Sequence, residues 1–299
     1  MSTKVSYGSL SPAVIAALDV IVRGLISKGL CGENPITLKK LSELIQFCDS
    51  GIWGDESIDP ALDPHIFRVS DFKGDFLLDY ESAPPRNIPE AKLSKFQLVE
   101  GDILVVKSSG SANQVISGRT AVFQGSGKVR YAASNFLMRL RPKADIDPFY
   151  LAFILGSPPI REIVADTVKT MTYPNLPFGL YSQILVPIIP YSDQKCLSTF
   201  FSCLFEGRPM PILPNYLYEQ QKCVSYVTRL ASRINEIQNL RAHAASETEG
   251  LIISIHRTCA EGRTKRLGDI LSLREEAVRI APDRSYPQVG IRIFCIGSA

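Results

Sequence analysis

The residues of this chain best suited to chemistry fall in two short polar stretches. The first runs Lys107-Ser108-Ser109-Gly110-Ser111-Ala112-Asn113-Gln114 and is followed by Arg119; the second runs from Lys169 through Thr170, Thr172 and Tyr173 to Asn175. Small side chains let backbone amides approach phosphate oxygens, and the amides of Asn113 and Gln114 match the paired donor and acceptor on an adenine edge. Lys107 and Arg119 supply the charge that a phosphate contact needs. The expected contacts are therefore Lys107, Ser109, Ser111, Asn113, Gln114 and Arg119 in the first stretch, and Lys169, Thr170, Thr172, Tyr173 and Asn175 in the second. The ligand that such chemistry fits is a nucleic acid. Charge along the chain agrees. Residues 86–143 hold ten basic and three acidic side chains, a balance of +7, whereas 43–81 hold ten acidic and two basic, a balance of −8. Strands that merely solvate their outer faces account for the charge alone about as well as a binding surface does.

Covalent and metal chemistry find no support. Gly125-Ser126-Gly127-Lys128 resembles the end of a phosphate-binding loop, but Val122 stands where the first glycine belongs and Val129 where a Ser or Thr would hold magnesium. It reads as a hairpin turn. His65, His243 and His256 are scattered, and no His-Glu-x-x-His, Gly-x-Ser-x-Gly or Gly-x-Gly-x-x-Gly motif is present. Asp71 and Asp75 lie in the acidic run, where solvation is the economical account. Trp53 reads as a core anchor. No catalytic residue, metal ligand or cofactor is expected.

These loops need a scaffold, and the patterning supplies one. Val14, Ala17, Leu18, Ile21 and Leu25 recur at helical spacing after Ser11-Pro12, giving an amphipathic helix to about Gly29. Thr37 is expected to cap a second helix carrying Leu38, Leu41, Leu44 and Ile45. Short β-type runs follow at 65–69, 98–107, 120–123, 129–132 and 136–140, separated by Gly and Ser clusters. Asp147-Pro148 and Pro158-Pro159 open helices, and Ile184 to Ile189 reads as a last strand. Grouped rather than alternating elements indicate an α+β fold.

From Asn215 a heptad seam begins: Val227, Leu230, Ile234, Ile237, Arg241, Ala244, Thr248, Leu251 and Ile255 alternate by three and four. A fully helical segment from 215 to 261 would reach about 70 Å at ~1.5 Å per residue, longer than a domain of this size covers, so it calls for a partner helix. Arg241 and Thr248 weaken the seam, and Gly250 is a point where the helix can bend. The expected organisation is a globular domain over 1–212, a helical spacer over 213–262 and a remainder over 263–299 too short to close a second core.

The chain has 299 residues, 45% hydrophobic and 21% charged, with a net charge of +3, which is ordinary for a protein with a sizeable core. Seven cysteines at irregular spacing argue against a disulfide framework and place the protein in the cytoplasm, where they serve as small buried hydrophobes. The apolar stretch 14–30 is interrupted by Asp19, Arg23, Gly24 and Lys28 and reads as neither signal peptide nor membrane span.

Taken in order, the residues resemble a known family, the DNA-specificity subunits of type I restriction-modification systems. The similar pieces are Asp49-Ser-Gly-Ile-Trp-Gly54, Phe67-Arg-Val-Ser-Asp-Phe72, Glu100-Gly-Asp-Ile-Leu-Val-Val-Lys-Ser108 with Gly118-Arg119, and Asn135-Phe-Leu-Met-Arg-Leu-Arg-Pro142. Thr170 to Asn175, Ile184-Leu-Val-Pro187 and Leu213-Pro-Asn-Tyr-Leu-Tyr-Glu-Gln-Gln221 complete the series. The resemblance implies a target-recognition domain, a helical spacer and the beginning of a second recognition domain, the arrangement of a half-subunit. It also implies a protein with no catalysis of its own, whose partners are methyltransferase and restriction subunits. The resemblance makes the nucleic acid double-stranded DNA, and the reading that results is a non-enzymatic DNA reader for one half of a split target. The alternative is a coiled-coil scaffold that does not bind DNA. Pairing of two chains through Val227, Leu230, Ile234, Ile237, Leu251 and Ile255 would rebuild the two-spacer arrangement as a homodimer that reads an interrupted palindrome.

Overall fold

The computed structural model describes residues 10–108, 115–125, 127, 129–169 and 175–260, with Lys169 and Ala260 described as backbone alone. It mixes helix and strand, as the grouped patterning predicts. Helix α1 (Pro12–Leu30) starts where Ser11 accepts the Val14 N–H at 3.3 Å, and it buries Val14, Ala17, Leu18, Ile21, Val22 and Leu25 along one face. Each of the Val, Leu and Ile side chains contributes about 1.5–3 kcal/mol by leaving water.

The helix expected after Thr37 is not formed as read. Thr37–Lys40 is strand β1, which pairs antiparallel with a late strand at Leu185–Ile188. Only one helical turn follows, α2 (Leu41–Leu44), before β2 (Ile45–Ser50). The backbone groups that a helix would have used internally are taken by a segment about 150 residues away, which no local pattern reveals.

After β2 come β3 (Asp55–Glu56), β4 (His65–Phe67), β5 (Arg86–Asn87), α3 (Glu90–Phe96), β6 (Ile103–Val106), β7 (Thr120–Val122), β8 (Tyr131–Ala133) and β9 (Leu137–Pro142). The main sheet has the order β2-β9-β6-β7, antiparallel throughout. Strand β6 explains its own sequence. Ile103 and Val105 enter the large core with α1, while Leu104 and Val106 enter a second cluster with Phe67, Phe72, Phe123 and Leu137. Both faces are covered, so Ile-Leu-Val-Val needs no polar alternation. The strands β7 and β8 are not hairpin partners: β7 pairs with β6, whereas β8 runs parallel to β4.

Helices α4 (Pro148–Gly156), α5 (Pro158–Lys169) and α6 (Phe178–Tyr181) follow, then β10 (Leu185–Ile188), α7 (Tyr191–Glu206) and α8 (Tyr218–Ala260). Asp147 caps α4 by accepting the Tyr150 N–H at 2.8 Å, and the helix is apolar all round because every side of it is packed. Gly250 does not interrupt α8. The chain divides into two compact units, Met1–Ile237 and Gln238–Ala299. Among the described residues no helix is long and apolar enough to cross a membrane.

Candidate nucleic-acid interface

One end of the main sheet gathers the roots of the loops singled out by sequence. The registers Ser50↔Met138, Val106↔Leu137 and Val105↔Thr120 put the exit of β2, the entry of β9, the exit of β6 and the entry of β7 at the same end. Lys107 and Ser108 continue from β6. Both of their N–H groups donate to the Phe136 carbonyl, at 2.9 and 3.3 Å, and the Lys107 carbonyl accepts the Leu176 N–H at 2.9 Å. Ser108 forms an antiparallel bridge with Asn175, and its hydroxyl donates to Asn175 Oδ1 at 2.8 Å. The last described residue before loop 109–114 is thereby bonded to the first described residue after loop 170–174.

Across the sheet end, Lys107 Nζ donates to Ser50 Oγ at 3.1 Å. Lys107 is half-buried and has no carboxylate partner among the described residues. Gly51, next to Ser50, is fixed by contact. A Cβ there would lie 2.0 Å from the Ala133 carbonyl oxygen, which only glycine permits.

Behind the loop root lies a buried ion cluster. Arg161, fully buried on α5, donates to Asp75 Oδ1 at 3.0 Å and to the Val115 carbonyl at 3.3 Å, and Arg119 Nε sits 3.5 Å from the same Asp75 oxygen. Burial pushes the Asp75 carboxyl up, against the pull of Arg161 and Arg119. Gly118, with φ of 81°, passes so close to α5 that a Cβ would meet Val164 at 3.0 Å. The cluster therefore anchors residues 115–119.

Of the residues expected to touch DNA, Lys107 and Asn175 are at the sheet end and brought together there. Arg119 is only 13% exposed, with its guanidinium toward Asp75. Lys169 is the last residue of α5. Ser109, Ser111, Asn113, Gln114, Thr170, Thr172 and Tyr173 lie outside the described residues, as does the segment 263–299.

Several expectations are corrected. The charge balances of 43–81 and 86–143 do not translate directly into two surfaces, because the fold brings the segments together: Arg139 pairs with Asp49, and Arg119 Nε lies 3.5 Å from Asp75. Asp71 and Asp75 are buried and paired rather than solvated, Asp71 with Arg68 at 2.8 Å. Trp53 is no core anchor. It is 44% exposed with the Arg86 guanidinium 4.6 Å over its ring. Of the described cysteines only Cys203 is buried; Cys31, Cys223 and Cys259 are exposed.

Sequence reasoning missed Ser50 and Phe136. Ser50 carried no signal of its own, since its role depends on the β2–β9–β6 register. Phe136 was read as the start of a strand, but β9 begins one residue later and Phe136 lies in the preceding turn, 55% exposed.

No family model matches the chain, and neither does any curated protein. Solved structures do. Three chains it is similar to come from type I restriction-modification systems. One belongs to a structure of complex assembly and conformational transition in such a system, at 17% identity, covering 74% of this chain and 52% of that chain, with a TM-score of 0.39. Another is the HsdS subunit from Thermoanaerobacter tengcongensis, at 15% identity over 73% of this chain and 46% of that one, TM-score 0.39. The third is the S subunit of a type I system from M. genitalium, at 12% identity over 74% and 54%, TM-score 0.39. The chain spans about half the length of these solved chains.

Proposed function

We propose that this protein is a sequence-specific reader of double-stranded DNA in a type I restriction-modification complex. Residues 1–212 act as the recognition domain, 213–262 as a spacer and 263–299 as the beginning of a second domain. It performs no catalysis itself and acts in the cytoplasm by bringing methyltransferase and restriction subunits to one half of a split target. The observation that carries this reading is the Ser108–Asn175 bond. Two polar stretches with phosphate- and base-binding residue types are rooted at one point, beside Lys107, which has no carboxylate partner among the described residues. Loops on a rigid scaffold are where adaptable contacts are placed. In this reading Lys107 and Lys169 contact phosphate, Asn113, Gln114 and Asn175 read base edges, and Ser109, Ser111, Thr170, Thr172 and Tyr173 complete the two loops. Arg119 supports the root through Asp75.

The test is binding of the full chain to a randomised duplex library across a salt series. Affinity is expected to fall steeply with salt, and Lys107→Ala to lower the logarithmic slope by about 0.9. A chain that recovers no duplex at low salt overturns the reading.

The scaffold reading draws on the exposed apolar residues of α8, among them Leu230, Ile234, Ile237, Leu251 and Ile255. We read these as the seam, with Val227, through which two chains pair, so that assembly serves DNA reading rather than replacing it.

A further inference from the structure

We infer that Phe136 makes an apolar contact with DNA, against a deoxyribose face or a thymine methyl group, next to the phosphate contact of Lys107. The inference rests on the DNA-reading function proposed above and adds a residue that neither polar loop contains. Phe136 occupies a tight turn closed by the Leu137 N–H on the Ser134 carbonyl at 3.0 Å, and it shares the two central, exposed positions with Asn135. Turn positions of this kind favour Asn, Gly, Asp and Ser for their backbone preferences, so the turn itself does not ask for a phenyl ring.

The turn is braced from two sides. Its Phe136 carbonyl holds the N–H groups of both Lys107 and Ser108. On the other side the Ser134 N–H donates to the Phe67 carbonyl at 2.9 Å, and Gly51 packs against the Ala133 and Ser134 carbonyl oxygens. An exposed ring on so constrained a backbone loses little freedom on meeting a partner.

Local charge favours a nucleic-acid partner. Asp49, the carboxylate on the neighbouring strand, is taken up by Arg139, so among the described residues no carboxylate pairs with Lys107 at this end. Ile58 and Leu62 are also exposed, but they sit among Asp55, Glu56, Asp59 and Asp63, where a phosphate backbone is repelled.

The experiment uses the full chain and a 40-base-pair duplex recovered by the wild-type chain from a randomised library, in a salt series. Phe136→Ala is expected to weaken binding by about five- to tenfold at every salt concentration. The salt slope stays that of wild type, because no counterion release is lost, whereas Lys107→Ala flattens it. Phe136→Leu keeps most of the affinity, and thermal melting of both variants matches wild type because the ring is exposed. Replacing thymine by uracil in the duplex separates the two apolar sources. A loss seen with wild type and absent with Phe136→Ala identifies the methyl group; equal binding of both duplexes identifies the sugar. Phe136→Ala binding within twofold of wild type, or a slope shifted as in Lys107→Ala, overturns the inference while leaving the DNA reading intact. Failure of the wild-type chain to recover any duplex overturns both.

Discussion

The Ser108 hydroxyl donates to Asn175 Oδ1 at 2.8 Å, joining residues 67 positions apart at the exposed end of the main sheet. Their backbones form an antiparallel bridge at the same point, and the adjacent Leu176 N–H to Lys107 carbonyl bond of 2.9 Å extends it. A clasp of this kind ties together the points from which the two polar stretches depart. Sequence preference should therefore depend on residues that close the clasp as well as on those that reach bases.

Asn175→Asp tests this coupling. The carboxylate keeps an acceptor for the Ser108 hydroxyl, so the clasp and the thermal stability are retained, but a negative charge now faces the phosphate backbone. We expect weaker binding to every duplex, more so at low salt. Asn175→Ala removes the acceptor, costs about 1 kcal/mol or less at this exposed position, and relaxes sequence preference. Binding measured in parallel with chemical denaturation distinguishes the two; two variants with unaltered affinity and preference would place the DNA surface elsewhere.

Arg161→Ala should be the most damaging single change near the loop root. Its guanidinium is fully buried against Asp75, which is itself buried, and removing it strips Asp75 of its nearer cation and leaves it with Arg119, 3.5 Å away, at a cost of up to about 3–5 kcal/mol. Replacing both, as Asp75→Leu with Arg161→Met, should recover part of that loss because no buried carboxylate remains, while Arg119 gives up its contact with Asp75. Urea denaturation of the two single variants and the double variant provides the cycle. A double variant no more stable than Arg161→Ala contradicts the account.

How much of this was legible in the sequence follows from where each signal resides. Helix α1 announces itself through Ser11-Pro12 and its apolar spacing, α4 through Asp147-Pro148, and β6 through an unbroken apolar run. All three are local. Helix α7 was passed over although Leu197, Phe200, Phe201 and Leu204 keep helical spacing, because its Ser, Thr and Cys residues are weak helix formers. The β1–β10 pairing, the burial of Asp75 and the Ser108–Asn175 bond depend on partners far along the chain and leave no mark on their neighbours. The loops could thus be chosen by residue type, but their common root could not.

Cys48 lies on β2, two residues before Ser50. Burial pushes its thiol up to about 12, with the charge of Asp49 adding to the effect and those of Lys107 and Arg139 opposing it. An unfolded cysteine ionises near ~8.5, so above that pH the unfolded chain releases a proton that the folded chain keeps. The contribution of Cys48 to stability is therefore present below about pH 8.5 and lost as the pH climbs through the folded value. At pH 8 iodoacetamide should label Cys31, Cys223 and Cys259 in the native chain but Cys48 only after unfolding, since the thiolate is the nucleophile. Peptide mass spectrometry reads the sites. Labelling of native Cys48 as fast as Cys31 refutes the prediction.

The final prediction concerns the proposed pairing through α8. Ile234 is 54% exposed in the single chain, with Leu230 and Ile237 exposed at heptad-related positions on either side. Three large aliphatic side chains at that spacing form the seam of a two-helix contact, and an isolated soluble chain rarely leaves such a stripe uncovered. An aspartate at the centre of a paired seam would bury an unpartnered charge, which a dimer cannot tolerate. In the monomer the same position faces water, so Ile234→Asp should leave the helix and strand content of the chain unchanged, while its melting loses the concentration dependence expected of a dimer. Sedimentation at micromolar concentration is expected to give a dimer for wild type and a monomer for Ile234→Asp. A two-fold dimer carries two identical reading surfaces, so its recovered target should be a palindrome with a spacer, and Ile234→Asp should recover only the half-site with lower affinity. A wild-type chain that sediments as a monomer, with a mass unaltered by Ile234→Asp, removes the dimer and with it the palindrome, while single half-site recovery would still identify a reader.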